Sequence, residues 1–226
     1  MAIYHLSAQV ISRGKGKSCV AAAAYRSGEK ILDERTGKIH DYTRKAGVGY
    51  KEILAPDQVP DWAVDRQQLW NQVEAAEKRK DAQTAREINI ALPKELSFEE
   101  NIELARTYVN DNFVRHGMIA DLAIHMNDLD NPHAHVMLTT REITIDGFGK
   151  KNRDWNKTDF LKSWREQWQE YTNEALRKAR ADERIDHRSF KDRGIEQVPT
   201  VHEGPVARAM EEKGIKTERG EWNREV

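Results

Sequence analysis

Two segments of the chain, residues 118–126 and residues 133–139, have an apolar residue at every second position and their polar residues at the positions between. A period of two indicates β-strands. The sequence Asn-Asp-Leu-Asp-Asn-Pro between them favours a turn and therefore predicts a hairpin. Antiparallel pairing would place His125 opposite His133 or His135 on one face of the sheet. Three imidazoles on one patch of sheet are a candidate site for a divalent metal ion.

The pattern predicts further elements on both sides of this hairpin. Strands are expected at residues 2–12 and 84–92, and helices at residues 19–27, 65–80, 97–116 and 158–182. Ser18 and Gly28 have the residue types that begin and end a helix, and Ser97 with Glu100 forms a capping box. Residues 29–51 are expected to be irregular, except that residues 36–42 could form a turn and a short strand. A short ribbon near Arg141 and a short helix near residues 206–213 complete the pattern.

The order of these elements favours an α+β fold. No pair of strands demands a parallel crossover, so we expect a two-layer sandwich with helices on one face of a mainly antiparallel central sheet. The other face would carry Glu87, His125, His133 and His135 and would not be covered by core. Residues 1–195 are expected to form one domain. Residues 196–226 would form a C-terminal arm that continues into a longer protein.

Composition narrows the class of protein. Of the 226 residues, 38% are hydrophobic and 33% are charged, and no apolar run approaches the length of a membrane span. Strand-like alternation begins directly at the N-terminus, which argues against a secretory signal. Cys19 is the single cysteine, so an internal disulfide is excluded. These features are typical of a cytoplasmic protein without membrane insertion.

The formal net charge of −1 conceals an uneven distribution of charge along the chain. Residues 13–51 contain ten Lys or Arg against four acidic residues, a local net charge of +6. A basic segment of this kind is expected where one face of a protein meets phosphate groups. The basic sequence at residues 13–18, Arg-Gly-Lys-Gly-Lys-Ser, lacks the glycine spacing of a nucleoside-triphosphate-binding loop.

Three neutral imidazoles suit Mn²⁺, Ni²⁺, Co²⁺ or Zn²⁺ better than Mg²⁺, and they leave coordination positions open for a substrate. A metal ion with open positions can polarise a phosphoryl oxygen. The nucleophile would then be either an activated water or a tyrosine. Among the tyrosines we favour Tyr25, because it follows the first strand closely and lies within the basic segment.

Several motifs together resemble the MobA/MobL (MobQ-type) conjugative relaxases, which are HUH endonucleases. They are the N-terminal strand, Ala-Ala-Ala-Ala-Tyr-Arg-Ser-Gly at residues 21–28, Ala-Arg-Glu-Ile at residues 85–88, the run from His125 through Asn-Pro-His-Ala-His to residue 135, and Asp-His-Arg-Ser-Phe at residues 186–190. The resemblance covers nearly the whole chain.

The resemblance implies an HUH-relaxase-like fold and a strand-transfer reaction. Tyr25 would attack a scissile phosphate in single-stranded plasmid DNA at the origin of transfer, beside a DNA hairpin, to give a 5′-phosphotyrosyl link. His125, His133 and His135 would hold one divalent ion, Mn²⁺ or Mg²⁺ in the cell, with Ni²⁺, Co²⁺ or Zn²⁺ possible in crystals. Glu87 would either accept the Tyr25 proton or orient a metal-bound histidine.

The partners follow from the same resemblance. We expect DNA contacts from seven basic residues: Lys15, Lys17, Arg26, Arg44, Lys45, Arg86 and Arg188. Recognition of DNA sequence and hairpin would come from residues 29–51 and from the tail after Arg184. Relaxosome accessory proteins and coupling proteins are the expected protein partners.

Three other functions stay open. A rolling-circle replication initiator usually has its nucleophilic tyrosine after the histidine strand, where Tyr171 is the one candidate and belongs to an apolar helix stripe. A metal-dependent phosphodiesterase would use activated water instead of a tyrosine. A DNA-binding module would have no activity at all.

Overall fold

The computed structural model of the chain describes residues 3–126, 128, 130–198, 200–201 and 203–226. They form two compact units, one ending at His187 and one beginning at Arg188, and each is described by itself. The boundary expected at residue 195 stays a prediction.

The first unit contains nine strands and four helices among its described residues. The strands are β1 (Leu6–Ser12), β2 (Lys30–Asp33), β3 (Lys38–Asp41), β4 (Val48–Leu54), β5 (Gln83–Ala91), β6 (Ala120–His125), β7 (His133–Thr139), β8 (Arg141–Thr144) and β9 (Gly147–Lys151). The helices are α1 (Cys19–Ser27), α2 (Arg66–Ala76), α3 (Phe98–Asn112) and α4 (Thr158–Lys178).

Five strands form the central sheet in the order β1-β5-β7-β6-β4. Every neighbouring pair in this sheet is antiparallel. The pairs β2–β3 and β8–β9 form separate two-stranded ribbons. The predicted fold class, α+β with a mainly antiparallel central sheet and helices packed on it, is confirmed.

Helices α3 and α4 pack on the apolar face of the sheet. Ile88, Leu122 and Val136 of the central strands are fully buried there, as the period of two predicts. Tyr108 of α3 and Trp168 of α4 pack edge to face with their ring centroids 4.9 Å apart. The capping box predicted at the start of α3 is present. Burial of these large side chains is the main stabilising contribution to the unit.

Helices α1 and α2 pack on the opposite face, so the expectation that helices would occupy only one face is wrong. Ala23 of α1 and Trp70 of α2 share a buried cluster with Ala85 and Met137 of the sheet. Both helices have an apolar side that must be covered, and the small side chains of α1 let its backbone lie close to its neighbours. The polar residues on this face are therefore partly enclosed, and Glu87 is 1% exposed.

Residues 29–51 are not irregular, contrary to the prediction. They contain the ribbon β2–β3, which turns at Gly37 with a φ of 70°, and most of the edge strand β4. Pairing of β4 with β6 fixes it in the sheet. The turn and short strand predicted at residues 36–42 are present as the Gly37 turn and β3. Strands β2 and β4 were not predicted, because a ribbon and an edge strand bury few side chains and so show little hydrophobic periodicity.

The second unit contains two helices in its described residues, α5 (Gly204–Glu212) and α6 (Glu218–Glu225). The helix predicted near residues 206–213 corresponds to α5, whereas α6 was not predicted. Within the described ranges of both units, no helix combines the length and apolar character needed to cross a membrane.

Candidate metal centre and nucleophile

Three histidines meet at the loop end of the β6–β7 hairpin. His125 is the last residue of β6 and pairs directly with His133, the first residue of β7. His135 lies two residues further along β7 on the same face. The ring centroids are 4.8–5.2 Å apart, and one ligand atom from each ring lies within 4.8 Å of the others. The predicted histidine cluster is therefore formed, although Asn127 and Leu129 of the connecting loop lie outside the described residues.

Hydrogen bonds fix the orientation of each ring in the histidine cluster. Nδ1 of His135 donates to Oε1 of Glu87 at 2.8 Å, and Nδ1 of His133 donates to the carbonyl oxygen of Asn131 at 2.9 Å. Nε2 of His125 donates to the carbonyl oxygen of Arg26 at 2.8 Å. Each ring keeps one nitrogen with a free lone pair. In a metal-binding histidine, the ring nitrogen that does not bind the metal usually donates a hydrogen bond to a carboxylate or a carbonyl oxygen. The three histidines therefore fit a divalent ion.

Burial favours the neutral form of two of these rings, those of His125 and His133. Burial lowers the pKa of His125 to about 4, and the charge of Lys45 acts in the same direction. Burial also lowers the pKa of His133. Only the neutral imidazole has a lone pair for a metal ion, so both rings are ready to act as ligands at neutral pH.

The carboxylate of Glu87 is enclosed by three donors. It accepts hydrogen bonds from Nδ1 of His135 at 2.8 Å, from Nη2 of Arg26 at 2.6 Å and from Nε2 of Gln9 at 2.6 Å. Burial raises the pKa of this carboxyl, but the hydrogen bonds from His135 and Arg26 and the charge of Arg26 outweigh burial and lower the pKa to about 2. A carboxylate this acidic suits the orientation of His135 better than proton acceptance.

Tyr25 lies near the C-terminal end of α1 and is 46% exposed. The helix begins at the Ser18 cap and ends at Gly28, as predicted. The ring of Tyr42 packs edge-on against the Tyr25 ring at 5.2 Å. Nζ of Lys45 lies 3.8 Å from the centroid of the same ring. The phenol is thus accessible while its ring is held on two sides.

Side chains satisfy three consecutive carbonyl oxygens at the C-terminal end of α1. The pairs are the Tyr25 carbonyl with Lys45 Nζ at 2.9 Å, the Arg26 carbonyl with His125 Nε2 at 2.8 Å and the Ser27 carbonyl with Lys51 Nζ at 3.3 Å. The last carbonyls of a helix have no partner within the helix, and cations stabilise that end. The backbone around Tyr25 is therefore tied to the histidine cluster.

The remaining predicted DNA contacts lie in different places. Lys15, Lys17 and Arg44 are exposed in the first unit. Arg86 is buried on the opposite face of the sheet, where its guanidinium lies 5.5 Å from the Trp164 ring centroid and its Nη2 donates to Asn156. Arg188 is the first residue of the second unit. The geometry does not bring Arg86 to the site.

Sequence reasoning missed two residues of the site. Gln9 pairs directly with Glu87 across β1 and β5, and the strand pattern did place Gln9 on a polar face. Pairing of those two strands would have been needed to connect them. Lys51 lies on β4, which the pattern did not reveal, so no signal in the sequence pointed to it.

Comparison with known proteins identifies a matching family and several relatives of this chain. The model of the MobA/MobL family matches residues 17–213. Conjugal transfer protein TraA of Agrobacterium fabrum (strain C58 / ATCC 33970) is 38% identical over an alignment that covers 96% of this chain and 23% of TraA. Mobilization protein MobL of Acidithiobacillus ferridurans is 40% identical, over 94% of this chain and 65% of MobL. The chain therefore spans only part of the length of each relative.

Solved structures share the fold. One, described as the molecular basis of vancomycin resistance transfer in Staphylococcus aureus, is 36% identical with a TM-score of 0.79, and the match covers 84% of this chain and 100% of that one. The conjugative relaxase TrwC, in a metal-free complex with OriT DNA, is 12% identical with a TM-score of 0.50 over 97% of each chain. At that identity the likeness to TrwC concerns the fold alone.

Proposed function

The chain belongs to the MobA/MobL family, as its motifs predicted, and from that premise we propose that its first unit is the DNA-nicking domain of a conjugative relaxase. It cleaves one strand at an origin of transfer and later rejoins it. One observation carries this proposal. The exposed Tyr25 directly precedes Arg26 in α1, and the carbonyl oxygen of Arg26 accepts a hydrogen bond from His125 of the histidine cluster.

The proposed reaction is a transesterification. The Tyr25 hydroxyl oxygen attacks the scissile phosphorus, a bond from that oxygen to phosphorus forms, and the bond from phosphorus to the 3′ oxygen breaks. The phenol loses its proton, and the leaving oxygen gains one to become a 3′-hydroxyl. The 5′ end stays on the protein as a phosphotyrosine, which conserves the reactivity of the bond for rejoining without ATP.

His125, His133 and His135 would hold one divalent ion, Mn²⁺ or Mg²⁺ in the cell, with Ni²⁺, Co²⁺ and Zn²⁺ as further candidates for a three-imidazole donor set. Such an ion supplies charge stabilisation to the phosphoryl oxygens in the transition state. Glu87 acts as a positioning residue, because its hydrogen bond orients His135 and its low pKa makes it a weak proton acceptor.

The DNA strand would run across the basic surface around Tyr25, where Lys45 and Arg44 contact phosphate groups. Arg26 is committed to Glu87 and acts mainly by fixing that carboxylate. TrwC is described as bound to OriT DNA, and we propose single-stranded origin DNA with an adjacent hairpin as the substrate here as well. Relaxosome accessory and coupling proteins are the proposed cytoplasmic partners.

The test is covalent capture of DNA. Single strands that tile the DNA flanking the gene are incubated with the protein and Mn²⁺, and adducts are resolved on a denaturing gel. We expect one strand to give an adduct whose modified peptide contains Tyr25. The change Tyr25→Phe should abolish the adduct, whereas Tyr42→Phe, which removes the neighbouring phenol, should keep it. Cleavage that is unaffected by Tyr25→Phe would instead favour a hydrolase that uses activated water.

A second variant tests the metal ligands. His135→Ala should lose bound metal and cleavage but keep part of the DNA affinity, because the basic surface is unchanged. The matched control is His116→Ala, a histidine outside the histidine cluster. Equal metal content in His135→Ala and the parent would refute the ligand assignment.

A further inference from the structure

The basic sequence at residues 13–18 has no role in the reaction described above, yet it lines a cleft of about 350 Å³. One wall is the turn from β1 into α1, where Gly16 has a φ of 67°. The opposite wall is the turn that follows α2, and the β2–β3 ribbon contributes a third side. Six of the eight lining residues are positively charged: Arg13, Lys17, Arg35, Lys78, Arg79 and Lys80. We call this the basic cleft.

Two arginines build the basic cleft. Nε of Arg13 donates to Oε2 of Glu74 at 2.7 Å, and its Nη1 donates to the carbonyl oxygens of Glu77 at 2.7 Å and Arg79 at 3.2 Å. Nε of Arg35 lies 3.3 Å from Oε2 of Glu74, which is almost completely buried. The carboxylate of Glu74 thus faces two guanidinium groups, so the three side chains together carry a net positive charge. The same bonds hold the turn after α2 in place.

The lysines at the rim are available to a ligand. Among the residues that the structure describes, Lys78 and Lys80 form no ion pair, and the pair between Arg79 and Asp81 is exposed on both sides and therefore weak.

Nζ of Lys17 lies 3.5 Å from Oε1 of Gln9, and Gln9 in turn donates to Glu87. The basic cleft is therefore connected to the histidine cluster by a chain of side chains.

We propose that the basic cleft binds a phosphate group of a nucleic-acid backbone, at a site separate from the histidine cluster. A cluster of positively charged side chains attracts an anion, and the oxygens of a phosphodiester accept hydrogen bonds from lysine. The described lining residues include no aromatic side chain on which a base could stack, so the contact is with the backbone and carries no sequence information. The inference rests on the proposed function for the identity of the DNA strand.

The phosphate could belong to a single strand or to a DNA hairpin, and the experiment separates the two. The probes are a fluorescent single strand of mixed sequence and the same strand extended by a self-complementary hairpin. Dissociation constants are measured over a range of salt concentrations. The variant is Lys78→Ala/Lys80→Ala. The matched control is Lys162→Ala/Lys178→Ala, which removes two exposed lysines from α4 on the other side of the sheet.

We expect Lys78→Ala/Lys80→Ala to bind DNA more weakly and to reduce the steepness of log affinity against log salt by about 0.7, the contribution of one phosphate contact to a single strand. The control should keep the parent slope. A loss with both probes assigns the basic cleft to the single strand, and a loss confined to the extended probe assigns it to the hairpin.

Parent-like slopes in Lys78→Ala/Lys80→Ala, or an equal fall in the control, would overturn the inference. Adduct formation at Tyr25 is scored separately. An adduct together with an unchanged slope refutes the basic cleft alone, whereas a reduced slope without any adduct refutes the nicking reaction alone.

Discussion

Nε2 of His125 donates a hydrogen bond to the carbonyl oxygen of Arg26 at 2.8 Å. This one bond joins the histidine cluster to the helix that carries Tyr25. It satisfies a carbonyl at the end of α1, and it leaves Nδ1 of His125 as the nitrogen that faces a metal ion. The position of Tyr25, the proposed nucleophile, relative to the histidine cluster is therefore set partly by a proposed metal ligand that also caps α1.

The double role of His125 predicts a difference between two ligand variants. His125→Ala and His133→Ala should both weaken metal binding. His125→Ala also leaves the enclosed Arg26 carbonyl without its partner, whereas the Asn131 carbonyl that His133→Ala releases is exposed to water. A lost buried hydrogen bond costs about 1–3 kcal/mol. In the presence of a chelator, His125→Ala should therefore have a lower Tm than His133→Ala, by about 2–4 °C for each kcal/mol.

A third variant separates the hydrogen bond from simple loss of packing. The amide of His125→Gln can donate to the same carbonyl but is a poor metal ligand. It should recover much of the lost Tm while metal binding stays weak. Equal melting temperatures for His125→Ala and His133→Ala would show that the bond to Arg26 contributes nothing to stability.

Glu87→Gln should destabilise the metal-free protein in a pH-dependent way. The folded pKa of Glu87 is about 2, below its ordinary value of 4.5, so its ionisation favours the folded state. The stabilisation is fully present above pH 5 and is lost as the pH falls towards 2. For this buried group it amounts to roughly 3 kcal/mol, from about 1.36 kcal/mol for each pKa unit.

Urea denaturation at neutral pH and at pH values near 3 measures this difference. The free energies of unfolding of parent and Glu87→Gln should diverge at neutral pH and converge in acid. Metal affinity should also fall by roughly 10–100-fold, as expected when the partner of a metal-binding histidine is lost. A constant difference in stability across the pH range would exclude the ionised carboxylate as its cause.

Lys45→Met should slow adduct formation at saturating DNA. Lys45 caps the Tyr25 carbonyl and covers the Tyr25 ring, so its loss frees both the backbone and the side chain of the nucleophile. Each contact is worth about 1 kcal/mol, and we expect a rate reduction of roughly 10-fold. Single-turnover rates at several DNA concentrations separate this effect from weaker DNA binding.

The control for this prediction is Lys45→Arg, which keeps the positive charge and most of the reach. Arg44→Ala removes a neighbouring exposed charge that has no contact with the Tyr25 ring in the described structure. If Lys45→Met and Arg44→Ala change only the affinity, and to the same extent, then Lys45 is an ordinary phosphate contact.

The sequence predicted the parts of the site that depend on local order. Strand alternation and a turn-rich loop were enough to bring His125 opposite His133, because the register of a hairpin follows from its own residues. Ser18 and Gly28 fixed both ends of α1 for a similar reason. In each case the determining residues are close together in the chain.

Contacts between distant segments could not be predicted in this way. Lys45 and Lys51 reach α1 only because β4 pairs with β6, and β4 itself lacks a hydrophobic period. Likewise, the ion pair between Arg26 and Glu87 exists because α1 packs on the polar face of the sheet, which the prediction left uncovered. The sequence pattern does not reveal this ion pair, so it left two roles open for Glu87, proton acceptance and orientation of a histidine.

Metal affinity should fall less steeply with decreasing pH than it would if His125 and His133 titrated as ordinary histidines, and competition from protonation of His125 should begin only below about pH 5. Protonation of a ligand competes with the metal ion, and it begins at the pKa of the metal-free protein. An ordinary histidine would start to compete near pH 6.5. Burial lowers the pKa of His125 to about 4 and also lowers that of His133, so competition at these rings starts at lower pH.

Titration of the metal-free protein with Mn²⁺, followed by the electron paramagnetic resonance signal of the free ion, measures this profile directly. A free histidine-containing peptide titrated in the same buffers gives the profile of ordinary imidazoles, which should lie at higher pH. If the affinity already falls below pH 6.5 as steeply as three ordinary imidazoles require, by about tenfold per pH unit for each ring, then His125 and His133 titrate as exposed histidines. In that case α1 does not shield His125 in solution, and Arg26 is not held against it.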